Sequence, residues 1–282
     1  MNYNAYYNGI FTNIDEISIP LSDRSVFFGD GIYDAAIGRN GKIFMCSEHI
    51  RRFMGNAQRL SIPISFSPEA LGELLHRIVC LSHISSDYFV YFQLSRYSDK
   101  RIHSYPDVKK SNFLVTVSPI TLPSPKTKLR LITYPDIRYE LCDIKTINLL
   151  PAVLASKAAE RQGANEAVLI KDGIVTECAH SNVHIVKRGK VYTHPVTNRI
   201  LPGISRAHLL EICKRLRIPA EERAFTEEEL KDADEILVTS TSKLCQCAVE
   251  LNGTSLPLQN HSIGLDIAEQ MLSDYKSECG TP

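Results

Sequence analysis

Two hydrophobic periods run along the chain, strict alternation for strands and recurrence every three to four residues for helices. Residues 3–20 alternate around Asn8-Gly9 and predict two short strands. Phe27-Phe28-Gly29-Asp30-Gly31-Ile32-Tyr33-Asp34 predicts a glycine-bearing bend between strands. Glycine there marks a close backbone approach, so Tyr33 is either a half-buried packing residue or a phenol presented to a ligand. Arg39-Asn40-Gly41-Lys42 reads as a hairpin turn. Ser47 is the expected N-cap of a helix whose inner face is Ile50, Phe53, Met54, Ala57 and Leu60. Ser67-Pro68 opens a second helix with the stripe Leu71, Leu74, Leu75, Ile78 and Val79. Aromatic and β-branched residues predict strands at 88–94 and 113–117. A polar segment from Arg96 to Pro106 lies between them. Pro119, Pro123 and Pro125, three prolines in seven residues, stop strand structure. They predict a linker at 119–126 between an N-terminal domain, 1–118, and a C-terminal domain, 127–282.

The second half opens with a strand at 129–134. Leu149, Leu150, Val153 and Leu154 then recur at helical spacing, predicting a helix to about residue 162. A strand at 166–171 closes on Asp172-Gly173, and 174–194 reads as two strands joined near Arg188-Gly189. Leu201-Pro202-Gly203-Ile204-Ser205-Arg206 begins a helix, with Ser205 either a simple cap or part of an anion site at the helix N-terminus. Thr226 and Glu229 form a capping-box pattern. A strand at 236–239 ends in Thr239-Ser240-Thr241-Ser242, Asn252-Gly253 marks a hairpin, and a helix covers 263–275. Strands interleaved with helices make this a mixed α/β fold.

Composition narrows the classes. The chain has 282 residues, 44% hydrophobic and 23% charged, enough for two moderate domains. Lys+Arg and Asp+Glu both number 32, which argues against nucleic acid or a membrane surface as the main partner. No apolar run reaches the length of a membrane span, and Met1-Asn2-Tyr3-Asn4 lacks the features of a signal peptide. Eight cysteines, several inside apolar runs, suit reduced structural thiols. Cys245 and Cys247 alternate on one strand face, but no second Cys/His pair at metal spacing accompanies them. A cytoplasmic protein without a metal site is expected.

Two clusters suggest chemistry. Lys145, in Asp143-Ile144-Lys145-Thr146-Ile147-Asn148, stands between a β-branched residue and the start of a helix. Glu177 lies in a stretch of alternating strand, followed by Cys178-Ala179-His180-Ser181-Asn182. A lysine and a glutamate held apart on a sheet suit pyridoxal phosphate, whose aldehyde forms an imine with lysine and whose ring nitrogen wants an acidic partner. Taken singly, both residue types are usually solvated. Arg101 and His103, two apart in an extended loop, point the same way. They make either a carboxylate clamp or a basic surface loop.

The order of these features resembles the fold-type IV pyridoxal-phosphate enzymes. That family includes D-amino-acid aminotransferases, branched-chain aminotransferases and aminodeoxychorismate lyases. The resemblance runs through Phe28-Gly29-Asp30-Gly31-Ile32-Tyr33, His49-Ile50-Arg51-Arg52, Lys145-Thr146-Ile147-Asn148, Glu166-Ala167, Val175-Thr176-Glu177, Ser181-Asn182, Gly203-Ile204-Ser205-Arg206 and Val238-Thr239-Ser240-Thr241. It implies two α/β domains with pyridoxal 5′-phosphate between them, a homodimer, and amino-acid and 2-oxo-acid substrates. By resemblance, Lys145 carries the cofactor and moves the substrate proton, and Glu177 partners the ring nitrogen. Arg52, Ser181, Asn182, Ile204, Ser205 and Thr241 complete the cofactor-binding set.

Arg101-Ile102-His103 is similar to the Arg-x-His element with which D-amino-acid aminotransferases hold the substrate carboxylate from the neighbouring subunit, assisted by a tyrosine that Tyr33 matches. Branched-chain enzymes carry an arginine shortly after the glycine-aspartate-glycine segment, where this chain has Ala35, Ala36, Ile37 and Gly38. The lyases use a threonine there, which is absent. The resemblance therefore implies transamination between a D-amino acid, such as D-alanine or D-glutamate, and a 2-oxo acid. A lyase releasing pyruvate and 4-aminobenzoate, or a branched-chain aminotransferase, is the alternative. Cys178-Ala179-His180 departs from the small, serine-rich run of the D-amino-acid enzymes, which leaves the preferred side chain open.

Overall fold

Left-handed residues at tight turns set the strand pairing: Asn8-Gly9, Asn40-Gly41, Asp172-Gly173, Arg188-Gly189 and Asn252-Gly253 all have positive φ. A computed structural model of the protein describes residues 3–97, 99–105, 107, 109–257 and 262–280. Ser98 and Pro106 of the polar segment, with Met1 and Asn2, lie outside the described residues. The chain divides into two compact units, Met1–Leu122 with Ile144–Asn148 and Tyr275–Pro282, and Pro123–Asp143 with Leu149–Asp274.

The first unit holds β1 (Ala5–Tyr7), β2 (Ile10–Thr12), α1 (Arg24–Phe28), β3 (Gly31–Arg39), β4 (Lys42–Ile43), α2 (Cys46–Arg59), α3 (Pro68–Leu81), β5 (Tyr88–Arg96) and β6 (Ser111–Pro119). Its six-stranded antiparallel sheet runs β2-β1-β6-β5-β3-β4. The apolar stripes of α2 and α3 bury Phe53, Ala57, Leu71, Leu75 and Ile78 in one core with Val90, Phe92 and Val115. Each large apolar side chain so buried contributes about 1.5–3 kcal/mol.

Two local expectations change here. Phe27 and Phe28 are helical, because Asp23 caps Ser25 and Gly29, at φ 61°, ends the turn before β3 begins. Helix α2 starts one residue before Ser47, with Met45 as N-cap and no side-chain cap. The Met45 amide donates instead to Glu278, 3.0 Å away, a partner distant in sequence. The Lys145 segment lies along the start of β3: the Tyr33 amide donates to the Lys145 carbonyl at 2.9 Å, and Ile147 to Gly31 at 3.2 Å.

The second unit holds β7 (Lys128–Pro135), α4 (Leu150–Arg161), β8 (Glu166–Lys171), β9 (Ile174–Cys178), β10 (Asn182–Lys187), β11 (Lys190–Thr193), α5 (Ile204–Arg215), β12 (Ala220–Glu222), α6 (Glu227–Lys231), β13 (Glu235–Ser240), β14 (Leu244–Leu251), β15 (Thr254–Ser255) and most of α7 (Ile263–Cys279). Its nine-stranded sheet runs β12-β11-β10-β13-β14-β7-β8-β9, with β15 on β14. The pairs β11–β12, β14–β7 and β7–β8 are parallel. Val168, Val175, Phe225, Ile236 and Val238 share a core. Where two strands were expected at 174–194 there are three, because Ala179-His180-Ser181 turns the chain and Cys178 donates to the Ser181 carbonyl at 2.7 Å.

Helix α4 forms where its periodicity predicts, but its inner face is Ala155 and Ala159, packed with Ile132, Ala167 and Leu169. Leu149, Leu150, Val153 and Leu154 face outward, 41%, 69%, 58% and 47% exposed.

Candidate active site

In the first unit, β3 carries Tyr33 and Asp34 on opposite faces. Tyr33 stacks on Tyr91, with ring centroids 5.4 Å apart. The half-buried Lys145 places its Nζ 4.2 Å from the centre of the Tyr33 ring. The lysine amine and the phenol ring are thus held together by a strand start and a bridging segment.

Asp34 points into the core and is fully buried. It accepts from Arg52 Nε at 2.8 Å and Nη2 at 2.7 Å, and from His49 Nδ1 at 2.8 Å. Burial acts to raise its pKa, but the Arg52 charge and these hydrogen bonds outweigh that and hold the carboxyl well below the usual carboxylate range. Burial pushes His49 down, against the pull of Asp34. Asp34 therefore fixes the orientation of the Arg52 guanidinium.

The aspartate of the Gly29-Asp30-Gly31 segment is a tie between two arginines. Arg24 Nε lies 2.7 Å from its carboxylate and Arg96 Nε 2.9 Å. Arg24 also donates to the carbonyls of Ile102 at 2.6 Å and His103 at 3.2 Å. It thereby holds the backbone of the Arg101–His103 loop. Both loop side chains are exposed, and the His103 ring lies 5.4 Å from that of Phe28.

In the second unit, Glu177 is buried on β9. One carboxylate oxygen pairs with Arg138 Nη1. The other accepts from Asn182 Nδ2 at 3.0 Å and from the Leu201 amide at 3.1 Å. Arg138 also donates to both oxygens of Asp136, at 2.9 and 2.7 Å, and Thr176 Oγ1 donates to Asp136 at 2.8 Å. Burial alone would lower the Arg138 pKa, but Asp136 and Glu177 raise it above its ordinary value.

Asn182 links this acid to the start of α5. Its amide nitrogen also donates to the Leu201 carbonyl at 3.1 Å. Its Oδ1 occupies the space beside Gly203, where a Cβ would stand 1.9 Å away. Gly203 is the N-cap of α5 and offers no side-chain cap. The amides of Ile204 and Ser205 precede the first intrahelical bond, Ala207 N to Gly203 O, so they present donors and a positive dipole end. Ser205 is not the cap but lies in the first turn. Helix α5 packs on β13, whose last residue, Ser240, has a buried Oγ without a hydrogen-bond partner among the described residues. Thr241 follows it.

Next to this lies a second carboxylate. Glu166, fully buried, accepts from Ser181 Oγ at 2.8 Å and pairs with His180 Nε2 at 3.1 Å and Lys243 Nζ at 3.4 Å.

These groups fit a phosphorylated pyridoxal cofactor. Glu177 is a buried carboxylate of the kind a ring nitrogen would need, and an uncapped helix start near a buried hydroxyl would suit a phosphate. Asn182 stitches the two together. The sequence reading did not single out Arg138, Asp136, Asp34, His49 or Leu201. Arg138 and Asp136 lie two apart but join Glu177 and Thr176 about 40 residues on, while Asp34, His49 and Leu201 stood only within longer motif runs.

The family model for Amino-transferase class IV matches residues 31–250. The chain belongs to the class IV aminotransferases. It is 35% identical over 263 residues to the D-alanine aminotransferase of Staphylococcus aureus (strain N315), covering 92% of each chain. It is 37% identical over 238 residues to that of Bacillus licheniformis, covering 84% of each. The crystal structure of a branched-chain aminotransferase from Thermoproteus uzoniensis with norvaline superposes with a TM-score of 0.89 at 21% identity, covering 99% of this chain and 96% of that one. That last likeness concerns the fold of this aminotransferase and not its substrate.

Proposed function

We propose that this class IV aminotransferase uses pyridoxal 5′-phosphate to transfer an amino group from a D-amino acid to a 2-oxo acid, as a homodimer in the cytoplasm. The observation that carries the reading is the 35–37% identity to D-alanine aminotransferases over most of both chains. The branched-chain likeness is at 21% identity and bears on fold only.

When bound, the cofactor supplies an electron sink for the charge left at the substrate α-carbon. Lys145 Nζ would hold it at the aldehyde end and would carry the substrate α-proton. Glu177 would partner the ring nitrogen, and Arg138 with Asp136 keeps that carboxylate in place. Arg52, held by Asp34, would bind the phosphate by the family resemblance, as would Ile204, Ser205 and Thr241, with Ser240 beside them. Ser181, through Glu166, and Asn182, through Glu177, would help hold the cofactor. Tyr33 assists in binding the substrate carboxylate, which Arg101 and His103 hold across the homodimer. Eight unpaired cysteines are in keeping with a cytoplasmic setting. No helix among the described residues is long and apolar enough to cross a membrane.

The test is transfer from D-alanine or D-glutamate to 2-oxoglutarate or pyruvate, followed by chiral separation of the products. Turnover with D-substrates is expected. Turnover confined to L-amino acids, or release of 4-aminobenzoate from aminodeoxychorismate without transamination, would overturn the proposal.

A further inference from the structure

A cysteine–histidine pair on the outer face of α3 plays no part in the proposed reaction. His76 and Cys80 are four residues apart, one helical turn, and both are exposed. His76 Nδ1 lies 2.9 Å from the carbonyl of Gly41, in the β3–β4 turn. A carbonyl only accepts, so Nδ1 carries the proton. The bare nitrogen is then Nε2, which faces Cys80 Sγ at 3.7 Å. The turn closes the arrangement from the other side. A Cβ on Gly41 would stand 3.5 Å from Cys80 Sγ and 3.9 Å from His76 Cε1. Nucleophile, base and orienting acceptor thus stand in sequence, the order that activates a thiol.

The other cysteines are placed differently. Cys178, Cys213, Cys245, Cys247 and Cys279 are buried, and Cys46 and Cys142 are half-buried. Burial pushes the Cys46 and Cys142 thiols up to about 11. Cys142 is also committed, donating to the Tyr139 carbonyl at 3.1 Å. Among the described residues Cys80 alone combines exposure with a base in contact.

We propose that Cys80 is a thiol–disulfide exchange site, with His76 as its base and low-molecular-weight disulfides as its ligand class. His76 Nε2 takes the Sγ proton as the sulfur attacks one sulfur of the small disulfide. That S–S bond breaks, and its electron pair leaves on the other sulfur as a thiolate, which collects a proton from His76 or water. Cys80 ends oxidised in a mixed disulfide, and one equivalent of small thiol is released reduced. Cys80 lies in the last turn of α3, where the helix dipole opposes a standing negative charge. The base therefore matters at the moment of attack.

The test uses the holoenzyme with glutathione disulfide as probe, read by time-resolved peptide mass mapping. Cys80 is expected to form the mixed disulfide first, and C80S to remove that adduct. H76Q is expected to slow it by at least ~10-fold, while H83Q, which changes another exposed histidine just beyond the helix, leaves the rate as in the wild type. Modification of Cys46 or Cys142 ahead of Cys80, or an unchanged rate in H76Q, would overturn the proposal. A wild-type measurement guards against a folding defect. Iodoacetamide should label Cys80 faster in the native enzyme than in the urea-unfolded chain, and slower native labelling would equally overturn it.

Discussion

Arg138 bridges two carboxylates, Asp136 and Glu177, and is only 14% exposed. Removing its charge strands both acids out of water. R138M is expected to destabilise the protein by roughly 3–5 kcal/mol, read as a lower urea midpoint, with part recovered when E177Q is added. An R138M midpoint equal to wild type would show the pairing to be dispensable.

His184 gives a pH signature. It is buried between Thr193 and Thr239, with burial and then Arg206 pushing its pKa down to about 3. Its neutral form is the folded form, so the unfolded chain takes up the proton first as pH falls. The stability it contributes is complete above about 6.5 and is lost progressively down to about 3. Urea midpoints between pH 4 and 6.5 should fall more steeply for wild type than for H184Q; parallel slopes would contradict this. Lys145 and Glu177 stand out in the sequence because each interrupts a local pattern, and the structure adds that Glu177 is buried and paired. Arg138 does not stand out, because nothing in Asp136-Ile137-Arg138 separates a buried ion pair from a solvated one when the partner is 39 residues away.

The α5 start depends on Gly203 for space and not for dihedral freedom. Its φ of −67° suits any residue, but a Cβ would collide with Asn182 Oδ1. Asn182 cannot swing aside without releasing Glu177 and Leu201. G203A is therefore expected to cost about 1–3 kcal/mol and to lower cofactor retention on dialysis, whereas undiminished retention would argue that this turn does not hold the phosphate. Hairpins and helix periods were readable because their causes are local. The Asn-Gly and Asp-Gly turns, the Ser67 cap and the Thr226 capping box formed as their residues dictate. Reading failed where distant partners decide. Met45 is served by Glu278, and the 179–181 turn has neither glycine nor proline to announce it. In α4, spacing revealed the helix but not its inner side, since alanines make the closer approach to β7 and β8.

Leu149, Leu150, Val153 and Leu154 at the start of α4 are large apolar side chains left exposed, and Ile137, Tyr139 and Leu141 are exposed too, the kind of surface that marks an interaction site where it is contiguous. It is in keeping with the proposed homodimer, and the zero net charge does nothing to oppose association. Placing acids there, in L150D/V153D, should convert a dimer to a monomer in sedimentation and abolish transfer, because Arg101 and His103 would lose their neighbour. A variant that still sediments as a dimer would move the interface elsewhere.

Everything proposed for the chemistry turns on one amine. Borohydride reduction of the holoenzyme, followed by peptide mass mapping, should find the cofactor on Lys145. Cofactor on Lys243, the amine beside Glu166, or on no lysine at all, would contradict it.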